Sequence, residues 1–311
     1  MVTIRDLAKQ SGHSVSTVSR VLNNHPHVSD QTRQEILALI EETNYRPNLL
    51  AQDLSRGKTN KVGVVLPHTR HPYFTQLLNG LLDAAAGSQH QLLLMPSDYD
   101  HETERSYLEQ LRGGAIDSLI FTSHSLPLPI IADYSSYGNI ILCEETDQTG
   151  VASVYIDRTD AYLQLFAFLR QQGCQQPVLL FSRADETSAT FRQAMTAYAA
   201  HYSLPAQTYT DIFLEEDGYR IAQEWLDDPR VDAVVANSDA IAAGVLAAYR
   251  DRDRSAPLVI GQENQLASRI LGLPSINHRS YELGTIAFEQ ALAENPRNRR
   301  LQSVFIQNKK P

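Results

Sequence analysis

Over the first 45 residues, apolar positions recur at helical spacing: Ile4, Leu7 and Ala8, then Val18, Val21 and Leu22, then Ile36, Leu37 and Ile40. Apolar residues three and four apart make one buried helix face, so this stretch predicts three short helices. The first spans Ile4 to Gln10, and Gly12 supplies the tight turn after it. Ser14 caps a second helix, Val15 to Asn23, and Ser29 or Asp30 caps the third. From Lys61 the pattern changes. KVGVVLP, QLLLMP, DSLIFTS, NIILCEE, QPVLLFS, DAVVANS and PLVIGQE are short apolar runs, each followed by a segment of helical period such as PYFTQLLNGLLDAAAG. Alternating βα units predict parallel sheets covered by helices on both faces. So many strands predict two successive lobes dividing near Asp157, with ligand-binding loops at the carboxyl ends of the strands facing the cleft between them.

The expected fold class is therefore α/β: a small all-α domain followed by a two-lobed α/β domain with parallel sheets. The expected boundaries are 1–46 for the helical domain, 47–60 for a linker and 61–311 for the large domain. Within the large domain, 61–157 and 280–293 are assigned to the first lobe, and 158–279 and 294–311 to the second.

Charge sharpens this division. The net charge of −9 argues against a polyanionic partner until the chain is split. Residues 1–60 hold seven Lys/Arg and six Asp/Glu, whereas residues 61–311 hold twenty and thirty. The acidity belongs to the large part, and the near-neutral end is compatible with nucleic acid. The start MVTIRDLAKQSGH has no apolar signal core, and runs such as Val62 to Pro67 are too short to cross a bilayer, so a cytoplasmic protein without membrane association is expected. Cys143 and Cys174 lie far apart and outside any CxxC or Cys/His spacing, which predicts buried, reduced thiols.

The first two helices make a helix-turn-helix whose second helix exposes Val15, Ser16, Thr17, Ser19 and Arg20 at the end that enters a major groove. TIRDLAKQSGHSVSTVSRVLNNHPHVSDQTRQEILALIEETNYRPNLLAQDL is similar, almost without gaps, to the headpiece of the LacI/GalR family of bacterial transcription regulators. The resemblance implies that Val15 and Ser16 choose operator bases and that Arg20 contacts a base or phosphate. It implies that Thr3, Ser14, Thr17, Ser19 and Asn23 belong to the DNA-contacting set. NLLAQDL, after Pro47, resembles the family's hinge helix: Leu54 matches the minor-groove wedge, and Asn48, Ala51 and Gln52 match backbone-contacting and close-packing positions. A helix this short is marginal alone and should order on DNA in a dimer. Two residues depart from the family pattern. His13 either alters packing or adds a phosphate contact, and Asp53 either points away from DNA or lowers affinity.

The resemblance continues more loosely into the large domain, which it makes periplasmic-binding-protein-like and a sensor of a small metabolite. SATFR resembles an SAxxR segment whose arginine, here Arg192, donates to ligand. NSDAIAAG puts Ser238 and Asp239 at cleft-facing positions, and GQEN puts Glu263 where a ligand-binding Asp is common. Glu144 follows the NIILC strand in an equivalent place; His68, Tyr73 and Phe74 lie after the first strand as polar and aromatic pocket walls. Carboxylates, an arginine fork and an aromatic wall suit a sugar or sugar derivative. The resemblance thus implies a repressor of a carbohydrate-utilisation operon, working as a homodimer on a pseudopalindromic double-stranded operator.

Other classes fare worse. A transport-type binding protein shares the two-lobed fold but not the headpiece. An enzyme would need an acid/base pair such as Glu144 with Glu145, which adjacent strand positions aim to opposite faces. GxSxG, GxxxxGK[ST] and GxGxxG are absent, and HTRH at His68 to His71 lacks a third ligand at suitable spacing, so no cofactor or metal is expected. The tail AENPRNRRLQSVFIQNKKP carries no leucine heptads, which argues against a tetramer.

Overall fold

In a computed structural model of the protein, residues 2–46, 57–67, 72–183 and 188–308 are described. The chain forms two compact units, residues 1–59 and 60–311.

The first unit holds α1 (Ile4–Ser11), α2 (Val15–Leu22) and α3 (Asp30–Glu42). Each start is capped by a hydroxyl: Thr3 accepts from the Asp6 N–H, Ser14 from Thr17 and Ser29 from Thr32. Asp6 completes a capping box by accepting from the Thr3 N–H at 2.8 Å. Gly12 follows α1 at φ 69°, the left-handed turn that a glycine takes without strain. Leu7, Ala8, Val18, Val21 and Ile36 form the core. Leu37, expected among the core residues of α3, is exposed, and Leu39 packs there with Ile40 instead.

The second unit runs through β1 (Lys61–Leu66), α4 (Pro72–Ala86), β2 (Gln91–Pro96), α5 (His101–Arg112), β3 (Ser118–Phe121), α6 (Leu128–Ala132), β4 (Asn139–Leu142) and β5 (Ala152–Asp157). It then passes α7 (Thr159–Gln171), β6 (Pro177–Leu180), α8 (Ala189–Ala199), β7 (Gln207–Tyr209), α9 (Glu215–Ala222) and β8 (Ala233–Val235). α10 (Asp239–Arg250), β9 (Leu258–Gln262), α11 (Leu266–Leu271), β10 (Ser275–Asn277), α12 (Ser280–Leu292), β11 (Arg299–Gln302) and β12 (Val304–Ile306) complete it. Two six-stranded sheets result, ordered β11-β5-β4-β3-β1-β2 and β12-β10-β9-β8-β6-β7. All pairings are parallel except β10 with β12, an antiparallel edge that the expectation of parallel sheets did not include.

The chain crosses between lobes three times, after β5, between β10 and α12, and between β11 and β12. Residues 294–311 therefore do not all belong to the second lobe. Leu301 of β11 pairs with Ile156 in the first sheet and buries its side chain there, and the last crossing falls at Ser303.

Each sheet is sandwiched between two apolar layers. In the first lobe Val62, Val64 and Ile120 face Leu77, Leu81, Leu283 and Phe288 of α4 and α12, while Val65, Leu119 and Phe121 face Leu108 and Leu111 of α5. α4 and α12 meet backbone to backbone. A Cβ on Gly80 would lie 1.9 Å from the Tyr281 carbonyl oxygen, and one on Gly284 2.1 Å from that of Leu77. The second lobe repeats the device, Gly218 against the Ile241 carbonyl (2.4 Å) and Gly244 against that of Glu215 (2.0 Å), locking α9 onto α10.

Candidate functional site

The exposed end of α2 is built by its own cap. Ser14 Oγ lies 2.7 Å from Ser16 Oγ and 2.8 Å from Thr17 Oγ1, and accepts from the Thr17 N–H at 3.1 Å. With Val18 and Val21 committed to the core, Val15, Ser16 and Arg20 are left exposed on one face. Val15 is 43% exposed. Asn23 closes the helix through Nδ2 to the Ser19 carbonyl at 2.8 Å. His13, whose role the sequence left open, reaches Glu35 Oε2 at 3.3 Å and ties the turn to α3. The Gln31 amide and then His13 hold the Glu35 carboxyl below its ordinary range. Arg33 donates to Asn24 Oδ1 and the His25 carbonyl, anchoring the loop after α2. Asn48, Ala51, Gln52, Asp53 and Leu54 lie outside the described residues, as does His68.

Between the two lobes of the large unit lies a cleft of about 1190 Å³. It is floored by the carboxyl ends of strands from both sheets: Asp98 and Tyr99 follow β2, His124 follows β3, Glu144 follows β4, Arg158 follows β5 and Asn237 follows β8. Of the residues anticipated from sequence, Tyr73, Phe74, Glu144, Arg192 and Glu263 line it. Phe74 meets Tyr73 edge-on at 5.1 Å between centroids. Burial drives the Tyr73 phenol well above its ordinary range, so the group stays neutral.

Ser238 and Asp239 are placed differently from the expectation. Both are wholly buried and absent from the cleft wall. Ser238 is the N-cap of α10, accepting from the Ile241 N–H at 3.2 Å. Asp239 accepts from Ser275 Oγ at 2.7 Å and from the Gln265 N–H at 2.5 Å, which fastens β10 and α11 to the start of α10. The helix begins so close to the strand end that only the preceding residue, Asn237, reaches the cleft. Its Nδ2 donates to the Ile212 carbonyl at 3.1 Å, and its buried Oδ1 has no donor.

Two charged groups set the electrostatics. Glu144 pairs with His124, whose Nδ1 lies 2.7 Å from the Leu126 carbonyl. Burial opposes the imidazolium, but the hydrogen bond and charge of Glu144 outweigh it and raise the His124 pKa above its ordinary 6.5. Glu263 is buried at the end of β9, accepts from Ser280 Oγ at 2.9 Å and sits at φ 84°, a conformation that a glutamate rarely adopts. Burial pushes its pKa up to about 7, against the Ser280 hydrogen bond and the charge of Arg158. Asp98, Tyr99 and Asp211 on the cleft wall also have positive φ.

A buried chain of hydrogen bonds runs beneath Glu263. Tyr162 donates to Gln262 Oε1 at 3.1 Å, His278 Nε2 lies 2.8 Å from the same oxygen, and His278 Nδ1 lies 2.8 Å from Ser303 Oγ. It joins the second sheet to two of the crossings. Arg158, Asn237, His124 and His278 were not singled out as site residues from sequence, since nothing local separates them from ordinary polar loop residues. Position after a strand end was the available signal.

A three-helix unit with an exposed second helix, joined in one chain to two parallel sheets around a polar cleft, defines a DNA-binding regulator with a ligand-sensing domain. Residues 3–48 match the family of bacterial regulatory proteins, lacI family, and residues 59–295 match the periplasmic binding proteins and sugar binding domain of LacI family. The chain belongs to the LacI family and is a transcription regulator, not an enzyme. It is 35% identical to catabolite control protein B of Bacillus subtilis (strain 168), over 98% of this chain and 99% of that protein. In fold it is similar to the lac repressor dimer bound to operator and the anti-inducer ONPF, with a TM-score of 0.81 and 21% identity over 99% of this chain and 98% of that one. It is also similar to a LacI family regulator CCPA from Weissella paramesenteroides with bound sucrose, with a TM-score of 0.69 and 18% identity over 80% and 97% of the two chains. Among the described residues no helix is long and apolar enough to cross a membrane.

Proposed function

We propose that the protein is a cytoplasmic homodimeric repressor of a carbohydrate-utilisation operon, whose affinity for a pseudopalindromic operator is set by a sugar or sugar derivative bound between its lobes. The cleft carries this reading: it takes polar side chains from both lobes, so a ligand touching both walls favours one arrangement of the lobes over another. Tyr73 and Phe74 form the apolar wall, Arg192 donates to ligand oxygens, and Glu144 and Glu263 accept from hydroxyls or orient the donors beside them. Ser238 and Asp239 support the site from behind it. In each headpiece Val15 and Ser16 read bases, Arg20 contacts a base or phosphate, Ser14, Thr17, Ser19 and Asn23 grip the backbone, and Thr3 belongs to the DNA-contacting set. Leu54 wedges into the minor groove at the centre of the site, and Asn48, Ala51 and Gln52 take backbone-contacting and close-packing positions beside it.

The likeness to catabolite control protein B and the sucrose bound by a related regulator support a carbohydrate effector. The dimer is supported by exposed apolar residues: Leu82 on α4, Leu93 and Leu94 on β2, and Leu266 and Ile270 on α11. Selection of bound DNA from genomic and randomised fragments at fixed salt tests the proposal. A two-fold symmetric site whose occupancy changes with a sugar from the adjacent operon is the expected result, and no enrichment with or without sugars refutes it.

A further inference from the structure

Arg158 stands at the first crossing between the lobes, between β5 and α7, and lines the cleft. Its backbone N–H donates to Gln193 Oε1 and its Nη1 to the Ile156 carbonyl, both at 3.0 Å. Its guanidinium lies 6.0 Å from the centre of the Tyr73 ring. Among the described residues it forms no ion pair, and its Nε is buried with no acceptor. A half-buried guanidinium whose Nε is shut off from water without an acceptor is unfavourable unless an anion arrives to meet it.

Nearby carboxylates are otherwise engaged. Glu144 is paired with His124; Asp217 accepts from the N–H groups of Phe213 and Leu214 and from Arg220; Glu263 accepts from Ser280. Burial also keeps much of Glu263 protonated near neutrality, which weakens it as a counter-charge for Arg158. The same cleft presents the opposite need at Asn237, 7% exposed, whose Oδ1 lacks a donor. An unmet guanidinium N–H and an unmet acceptor in one cavity describe a ligand carrying both an anionic group and a hydroxyl.

We infer that the effector is an anionic sugar derivative, a phosphate ester or a sugar acid, whose charged group is taken by Arg158 and one of whose hydroxyls donates to Asn237. This rests on the reading of the cleft as the effector site. The test is calorimetric titration of the full-length protein with hexoses, their monophosphates and the corresponding sugar acids, matched in carbon skeleton. The expected result is that an anionic member binds about 10–100-fold more tightly than its neutral parent, the range of a charge-assisted hydrogen-bonded pair. Binding of phosphates alone assigns a phosphate ester, and binding of acids alone a carboxylate. Arg158→Gln should erase most of the preference, and Arg158→Lys, which keeps the charge without the fork, should retain part of it. If either variant fails to melt cooperatively, the comparison on the unaltered protein still decides. A neutral sugar that binds as tightly as its anionic derivatives overturns the inference and leaves the cleft reading standing. If none of the three classes binds, both fall.

Discussion

Replacing Glu263 with Gln should make the protein more stable above neutral pH and leave its stability nearly unchanged in mild acid. Folding moves this carboxyl from an ordinary pKa of 4.5 to about 7, chiefly through burial. The unfolded chain thus releases the proton near its ordinary pKa while the folded protein still holds it. Stability falls as pH rises through that window and levels off above it. At about 1.4 kcal/mol per pH unit, the loss is roughly 3 kcal/mol once both states are ionised. Glutamine is neutral throughout, has the same shape, and can accept from Ser280 Oγ through its amide oxygen. Urea denaturation of both proteins from about pH 4.5 to about pH 8 should show curves that coincide at the acid end and separate by about 3 kcal/mol at the other. His124 also makes the parent lose stability with rising pH, so the informative quantity is the difference between the two proteins. A difference independent of pH, or a variant less stable at the alkaline end, would refute the argument that Glu263 is held against its charge.

Glu144→Gln should return the His124 pKa towards 6.5, read from its ring resonances by NMR; the stability from this pair is present below that value and lost as pH passes the raised one, and an unmoved titration would exclude the pairing. Gly284→Ala should destabilise by about 3 kcal/mol or more, because its new Cβ meets a backbone oxygen that cannot turn aside. Gly87→Ala, with nothing within 4 Å, is the matched control, and equal unfolding midpoints would show that α4 and α12 can part without penalty. Arg20→Ala should weaken operator retention in a gel-shift assay without altering sugar affinity, and joint loss of both would count against separate sites. Arg192→Ala should abolish the effect of sugar on operator binding, and a full response would remove Arg192 from the pocket.

Local patterning made the headpiece legible almost residue by residue. Its helices are short, capped by Thr3, Ser14 and Ser29, and closed by a core within one sequence neighbourhood, so spacing and caps sufficed. In the large domain the seven longest apolar runs were recognisable. Missed were β5, whose polar Ser153 and Tyr155 interrupt the run, and the very short β7, β10 and β12. β11, RRLQ, has no strand signature, yet the first sheet recruits it and sends residues 299–302 to the lobe opposite the one expected.

Five cleft residues, Tyr73, Phe74, Glu144, Arg192 and Glu263, were legible through the family resemblance, which picked out SATFR, GQEN and the positions after the first and fourth strands. The error at Ser238 and Asp239 is a matter of one residue, and only the start of α10 decides which of three consecutive polar side chains faces the cleft. The sequence by itself determined the headpiece helices, seven of the strands, the two-unit division and the face that α2 presents, because these follow from periodicity and capping within a few residues. Tertiary structure alone decided that the Arg158 Nε would be buried without an acceptor, that the Glu263 pKa would be raised to about 7, and that glycines far apart in the chain would join helix pairs backbone to backbone. Those outcomes depend on which distant groups share a dehydrated space, and no local pattern encodes that.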